Sequence, residues 1–477
     1  MEKVRTRFAP SPTGFMHVGN LRSALYAYLF AKQNEGKFIL RIEDTDLERY
    51  VPGAVEVIYS TLKTAGIEFD EGPNEGGDYG PYVQSERKEI YNKYAQILIE
   101  KKAAYYCFCT KERLDTLADS SGIRKYDKHC LNLTEAEIKE KIAKGERYVI
   151  RQNMPTQGIS EFTDMVFGHI SINNNELEDN VLIKSDGMPT YNFANVVDDH
   201  LMGITHVIRG NEYLSSTPKY NLLYKAFGWE IPKYIHLTPI MKDETRKLSK
   251  RYGDANFDDF LLKGYLPEAI VNYISLLGWS PEENREKFSL TELIEKFSVN
   301  RLSKSSSIFD ENKMKWLNGE YIKEMDFEHF FTLAIPFFEK SSIKDKYDYR
   351  KFAVLLKNRI EIFSEIDEKV KFINEFSQID PIWYEIPKMK LNSNIAKAVI
   401  NESIKKFSLI DEWNEESLHN AITEIATKLE YKAGAVYSAL RIALTASVVT
   451  PGGSVEMADI LGKEESIKRL KISMSWL

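Results

Sequence analysis

A chain of 477 residues is too long for a single hydrophobic core, and about three domains of ~150 residues each are expected. No apolar run approaches the ~20 residues of a membrane-spanning helix. The N-terminal Met-Glu-Lys-Val-Arg also lacks the apolar centre of a secretion signal, so a cytoplasmic protein without membrane contact is expected. A formal net charge of −7 excludes a globally basic nucleic-acid binder but leaves room for a local basic face.

Residues 4–9 and 37–42 read as strands, and between them Leu21, Leu25, Tyr28 and Leu29 recur at helical spacing over 19–33. Pro52-Gly53 precedes a second helix over 54–65 with Val55, Ile58, Tyr59 and Leu62 on one face. This β-α-β-α order predicts a parallel sheet covered by helices. The Gly- and Pro-rich stretch 70–84 is a loop. Helix 86–102 follows, then a cysteine-bearing segment, a capping-box helix at Thr134-x-x-Glu137, and short strands near 148–152 and 181–185. Residues 85–187 therefore look inserted into the first domain. A hairpin is expected from 181–185, the turn Asp186-Gly187 and 189–193. Strand 205–209, helix 214–227 and strand 236–242 restore the α/β pattern. Beyond about 255 the chain reads as helical, with Pro267 opening one helix and Ser289-x-x-Glu292 capping another. The final stretch, 326–477, predicts an all-α unit.

The segment Arg7-Phe8-Ala9-Pro10-Ser11-Pro12-Thr13-Gly14-Phe15-Met16-His17-Val18-Gly19-Asn20 is the most informative. It ends a strand, turns, and opens a helix whose first-turn N–H groups and dipole favour an anion such as phosphate. Far downstream, Lys247-Leu248-Ser249-Lys250-Arg251 follows a predicted strand of the same split sheet. Lysines there would neutralise a pentavalent α-phosphate and a leaving pyrophosphate, which is electrostatic catalysis without a protein nucleophile. The similar string Arg301-Leu302-Ser303-Lys304 is set aside because it follows a helix instead of ending a sheet strand.

These two strings resemble the signature pair of class I aminoacyl-tRNA synthetases. With Arg41-Ile-Glu-Asp-Thr-Asp46, Pro189-Thr-Tyr-Asn-Phe-Ala-Asn-Val-Val-Asp-Asp-His200 and Val207-Ile-Arg-Gly-Asn-Glu212, the whole chain resembles bacterial glutamyl-tRNA synthetases. The resemblance implies an α/β fold: a Rossmann-like catalytic domain (1–84 and 188–250) carrying an α+β acceptor-stem-binding insertion (85–187). An all-α stem-contact region (251–325) and an all-α anticodon-binding module (326–477) would follow. One departure is Asn20, where the superfamily often has His; its short amide still offers a donor to phosphate.

A glutamate pocket needs two cations for two carboxylates, preferably the forked guanidinium of Arg, and one carboxylate for the ammonium. Arg7, Arg209 and Glu43 lie at or beside predicted strand ends, and the resemblance adds Ala9, Ser11, Tyr191 and Asn195. Glu43 and the Ser11 region are assigned to the amino group, Arg7 with Tyr191 to the side-chain carboxylate, and Arg209 with Asn195 to the α-carboxylate. The sequence itself leaves open which Arg takes which end. For ATP the resemblance implies His17, Gly19, Asn20, Glu212, Lys247, Leu248, Ser249, Lys250 and Arg251, with His17, Asn20, Lys247 and Lys250 catalytic. Mg²⁺ accompanies ATP. The implied reaction forms glutamyl-adenylate and then transfers glutamate to the 2′-OH of the terminal adenosine of tRNA(Glu), and the family commonly needs tRNA for the first step.

Cys107, Cys109 and Cys130 are too few and too clustered for a disulfide framework, and lie where some relatives carry structural Zn²⁺. A site of three thiolates would take its fourth ligand from Tyr126 or His129; the alternative is three small buried hydrophobes. Arg359, Arg441, Thr450 and Pro451 match positions that contact the anticodon. A tRNA-modifying glutamyl enzyme would lack the C-terminal helices, and a glutaminyl-tRNA synthetase would have an all-β anticodon region and Asp in place of Glu43. A catalytically dead paralogue disagrees with the presence of Arg7, Glu43, Arg209, Lys247 and Lys250. A monomer is expected.

Overall fold

The computed structural model describes residues 3–46, 49–117, 125–248 and 256–477. Strand β1 (Arg5–Phe8) leads through a Pro-rich turn into α1 (Val18–Gln33), and β2 (Lys37–Leu40) returns parallel to β1. Gly14 holds φ at 118° in that turn, a conformation that suits glycine. Helix α1 is buried almost all round, including every residue from 24 to 31, so it is a core helix and not an amphipathic surface one. Helix α2 (Ala54–Thr64) buries Ile58, Thr61 and Leu62.

The next segment contributes α3 (Lys88–Glu100), β3 (Ala104–Cys107), α4 (Lys111–Asp115), α5 (Glu135–Ala143), β4 (Val149–Gln152), β5 (Ile159–Asp164), β6 (Gly168–Asn173) and β7 (Val181–Ile183). Strands β3, β4 and β7 form an antiparallel sheet, and Thr134 and Glu137 complete the expected capping box of α5. The chain continues with α6 (Tyr191–Leu201), β8 (His206–Gly210), α7 (Thr217–Phe227), β9 (Lys233–Leu237) and β10 (Ile240–Met241).

Strands β8 and β9 pair in parallel, and β1 lies beside β8, tied by the Thr205 N–H donating to the Arg5 carbonyl at 3.0 Å. On the far side β9 meets the β5–β6 hairpin, with Asp164 registered opposite Tyr234. Apolar side chains of α3, β3, β4 and β7 share one core with those of α6 and α7, including Tyr91, Leu98, Leu182, Phe193, Val197 and Leu223.

Three sequence readings change. The turn at Asp186-Gly187 forms, with Met188 N–H donating to Asp186, but only Pro189 bridges back to Ile183; residues 191–201 are helical, not a second strand. The β5–β6 hairpin was not anticipated. The strand expected at 236–242 is two pieces, Lys233–Leu237 and Ile240–Met241. Ser307–Ile308 also pairs in parallel with Ile240–Met241, so a short strand follows the Arg301–Lys304 string, which itself comes after the helix Leu290–Lys296 and ends no strand.

The chain divides into two compact units, one of residues 1–261 and 267–311, the other Leu262–Leu266 with Asn312–Leu477. The second unit is helical: Phe327–Phe338, Tyr349–Leu356, Ser393–Ser408, Glu415–Leu429, Ala433–Thr445 and Ser454–Trp476 are its main helices. Phe330 and Phe338 are fully buried in it, while Phe331 and Phe337 are half-buried.

Candidate active site

The carboxyl ends of β1, β2, β8 and β9 open onto one cleft of about 1200 Å³, the usual ligand position of an open parallel sheet. Arg7, Ala9 and Ser11 line it from the end of β1, and His17, Gly19 and Asn20 from the start of α1. Glu43 follows β2, Tyr191 opens α6, Arg209 and Glu212 end β8, and Lys247 and Leu248 follow β10. Ser249, Lys250 and Arg251 lie outside the described residues. Asn195 does not line the cleft; it is buried one helical turn below Tyr191, donating to that residue's carbonyl at 2.5 Å.

The helix start differs from the sequence expectation in one respect. Its early N–H groups are not all unpaired: Gly19 N–H donates to His17 Nδ1 at 3.0 Å and Asn20 N–H to the His17 carbonyl at 2.9 Å. Because Nδ1 accepts, the neutral imidazole carries its proton on Nε2. The side chains of Asn20 and Lys247 are exposed. Lys247 is positioned by a short antiparallel return in which Leu248 N–H donates to the Ile240 carbonyl.

Beneath the cleft lies a buried ionic cluster. Arg7 donates from Nε and Nη2 to the two oxygens of Asp199 (3.0 and 3.3 Å), and from Nη1 to the Ile208 carbonyl. Arg41 is fully buried between Asp199 (2.8 Å), Glu43 (2.9 Å) and Asp198 (3.8 Å). Asp198 also receives Arg87, Gln84 and Tyr91. Three guanidinium groups thus face three carboxylates, the pairing that buried charge requires. Burial pushes the Glu43 carboxyl above its usual value despite Arg41 and Arg7. For Asp199 burial acts in the same direction, but Arg7 and Arg41 outweigh it and the net shift is downward.

Arg209 differs from these arginines. It is 6 % exposed, yet among the described residues no carboxylate touches it. Its Nε donates to His236 Nε2 (3.1 Å) and its Nη2 to Thr217 Oγ1 (2.9 Å), while the rings of Tyr213, Tyr220 and Tyr234 stand 4.8–5.4 Å away. A cation lining a cleft without an acidic partner is arranged for an anionic ligand.

The sequence reading named Arg7, Glu43 and Arg209 as site residues but none of the groups that hold them. Asp198 and Asp199 had a visible signal, two adjacent acids in an otherwise apolar helix. His236 had a weaker one, a polar residue between Ile235 and Leu237. Asp164 had none.

Away from the cleft the Cys107, Cys109 and Cys130 sulfurs converge within 4.8 Å. The Tyr126 hydroxyl sits 3.2 Å from Cys107 Sγ and 3.4 Å from Cys109 Sγ, whereas His129 is exposed and outside the cluster. The hydrogen bond with Cys130 lowers the Cys107 thiol against the effect of burial. Three soft donors and one oxygen around a common point fit a closed tetrahedral Zn²⁺ site.

In the helical unit Arg359 is exposed and donates to the Leu355 carbonyl at 2.7 Å. Arg441 donates to the Val448 carbonyl at 2.9 Å, Thr450 to the Gly452 carbonyl at 2.6 Å, and Pro451 is buried. Gly452 packs so tightly on Leu355 that an added Cβ would come within 3.0 Å of it, which places the 450–452 turn beside the last turn of the helix Tyr349–Leu356, three residues before Arg359.

The parallel sheet, its split phosphate-type turn and the downstream lysine return define a class I aminoacyl-tRNA synthetase. Residues 3–316 match the family of class I tRNA synthetases (E and Q), catalytic domain, and residues 329–474 an anticodon binding domain. The chain is 56 % identical to a glutamate–tRNA ligase of Clostridium tetani, covering all of this chain and 98 % of that one. It is 53 % identical to one of Clostridium novyi, with the same coverage. Among solved structures it resembles the glutamyl-tRNA synthetase of Elizabethkingia anophelis (TM-score 0.90, 37 % identity, 99 % of this chain and 100 % of that one). It also resembles the glutamate tRNA ligase of Elizabethkingia meningosepticum, solved in complex with its amino acid (TM-score 0.89, 36 % identity, 99 % of both chains). The chain belongs to the glutamate–tRNA ligase family.

Proposed function

We infer that this chain attaches L-glutamate to the 3′ end of tRNA(Glu) at the expense of ATP. The α-carboxylate of glutamate attacks the α-phosphorus of ATP and pyrophosphate leaves; the 2′-OH of the terminal adenosine then attacks the acyl carbon and AMP leaves. The observation that carries this reading is Arg209, a buried cation that meets no carboxylate among the described residues, in the same cleft as the start of α1.

Arg7 and Arg209 take the two carboxylates of glutamate, with Tyr191 beside them, and Glu43 and the backbone near Ser11 take the ammonium. Ala9 packs against the substrate, and Asn195 acts from below by fixing the Tyr191 backbone. His17, Gly19 and Asn20 meet the ATP phosphates, Glu212 the nucleoside side of the cleft, and Lys247 with Lys250 the charge that develops on the α-phosphate and pyrophosphate. Leu248, Ser249 and Arg251 belong to the same ATP-binding string as these lysines. Mg²⁺ arrives with ATP, as the synthetase class implies.

The inserted segment 85–187 binds the acceptor stem, and Cys107, Cys109, Cys130 and Tyr126 hold a structural Zn²⁺ that fixes its fold. Residues 251–325 contact the stem, and 326–477 read the anticodon through Arg359, Arg441, Thr450 and Pro451. The enzyme works as a cytoplasmic monomer. ATP–pyrophosphate exchange tests the reading: it should require both glutamate and tRNA, and exchange supported by glutamine would overturn it.

A further inference from the structure

Arg209 does not stand alone. Its Nε donates to His236 Nε2 at 3.1 Å, and on the other side of that imidazole Nδ1 lies 2.7 Å from Asp164 Oδ2. His236 is fully buried and Asp164 is 1 % exposed. Asp164 is held from all sides by donors: Oδ1 accepts from the N–H groups of Val166 (2.9 Å) and Phe167 (2.8 Å), and Oδ2 also accepts from the His236 N–H (3.1 Å).

Only one proton arrangement satisfies this chain. A guanidinium has donors and no acceptor, so His236 Nε2 must carry a lone pair. The imidazole proton then sits on Nδ1 and is donated to Asp164, which must be ionised because every one of its contacts is a donor. Burial keeps the imidazole neutral. With Thr217 receiving Nη2, two of the five guanidinium N–H groups are fixed and three are left for a ligand.

We propose that Asp164 and His236 are positioning residues for glutamate recognition: Asp164 selects the Nδ1–H tautomer of His236, and that tautomer locks the Arg209 fork toward the substrate carboxylate. The proposal rests on the reading of Arg209 as a glutamate ligand. It gives the β5–β6 hairpin, which lies in the inserted segment, a role in the amino-acid site, because Asp164 enters the sheet at the single point where β5 meets β9.

The test is Asp164→Asn. The amide would keep its oxygen on the Val166 and Phe167 N–H groups and turn its NH₂ toward His236, giving up the bond from the His236 N–H; this moves the imidazole proton to Nε2 and sets it against the Arg209 Nε–H. The same tautomer logic governs Asp–His pairs in hydrolases. Aminoacylation by the Asp164→Asn enzyme should show a glutamate KM raised at least tenfold, with the KM values for ATP and tRNA within twofold of the parent and a smaller change in kcat. The ¹⁵N shifts of His236, assigned by the signal lost in His236→Gln, should report Nδ1–H in the parent and Nε2–H in Asp164→Asn. His236→Gln offers Arg209 an acceptor that has no tautomer, so adding Asp164→Asn to it should change the glutamate KM less than threefold. A glutamate KM within threefold of the parent in Asp164→Asn alone, or an equal rise in the ATP KM, overturns the proposal, as does an Nε2–H tautomer in the parent. If the parent enzyme fails to charge glutamate, the substrate reading falls, while the tautomer measurement still stands or fails by itself.

Discussion

Replacing Arg209 with Gln separates binding from stability in a way that replacing Arg7 or Arg41 does not. Arg7 and Arg41 each neutralise buried carboxylates, so their loss orphans a charge; among the described residues Arg209 donates to His236 and Thr217 and to no carboxylate. A Gln amide can still donate to one of them, so Arg209→Gln should cost about 1 kcal/mol or less of folding stability. The bound state loses far more. A bidentate guanidinium–carboxylate contact comprises two charge-assisted hydrogen bonds worth ~1.5–3 kcal/mol each, and a neutral amide recovers ~1 kcal/mol, which leaves about 2–5 kcal/mol. At ~1.4 kcal/mol per tenfold, kcat/KM for glutamate should fall by roughly 30- to several-thousand-fold. The assay is steady-state aminoacylation with varied glutamate at saturating ATP and tRNA, beside a urea titration of the same preparations. A fall below about threefold, or a matching rise in the ATP KM, would refute the assignment of Arg209 to the substrate carboxylate.

Arg41→Gln should instead destabilise the fold by about 3–5 kcal/mol in urea unfolding, because Glu43 and Asp199 lose their shared cation in a dry site. Asp199 titrates below its ordinary value in the folded chain, so its stabilisation is complete above ~pH 4 and is lost as the pH falls through the lower folded-state pKa. The stability gap between the parent and Asp199→Asn should therefore close when urea midpoints are followed from neutral pH to below pH ~4. Cys130→Ser should reduce the zinc content of purified protein from about one ion per chain; equal zinc in both, or none in the parent, removes the metal from this cluster. Lys250→Ala should slow ATP–pyrophosphate exchange much more than it weakens glutamate binding, and an unchanged exchange rate would take that lysine out of the chemistry.

What the sequence made legible was local. A strand, a Pro/Gly turn and a helix start lie within twenty residues, so a phosphate-type turn with His17 at its lip is legible from local pattern, while Ser11 and Asn20 rest on the family resemblance; the structure lines the cleft with Arg7, Ser11, His17 and Asn20. The parts that stayed hidden depend on partners far apart in the chain. Asp199 meets Arg7 and Arg41 across more than 150 residues of sequence, and Asp164 meets His236 across 72. No periodicity encodes such pairings. The stretch after Pro189 read as a strand because Thr190, Tyr191 and Phe193 favour pleated structure, yet its apolar residues pack into the core shared with α3 and α7 and hold it helical. The β5–β6 hairpin escaped notice because only Ser160 and Asp164 of β5 are buried, and both are polar, so the apolar alternation that marks a half-buried strand is missing.

The buried charges themselves argue for a site and not for stability. Desolvating three guanidinium groups and three carboxylates costs about as much as their attraction returns, and an apolar core of similar volume would hold the fold equally well. Such a core could not hold the Arg7 fork in one plane or keep the Glu43 carboxylate fixed at the floor of a cleft. Asp198 and Asp199 show how this is done with few residues. Adjacent positions on a helix point about 100° apart, so Asp199 turns to Arg7 under the cleft while Asp198 turns to Arg87 and Tyr91 at the start of α3. Arg41 reaches both acids. A single turn of α6 therefore fixes the floor of the cleft and the start of α3 against one cation, and on the opposite side Asp164 reaches Arg209 through His236.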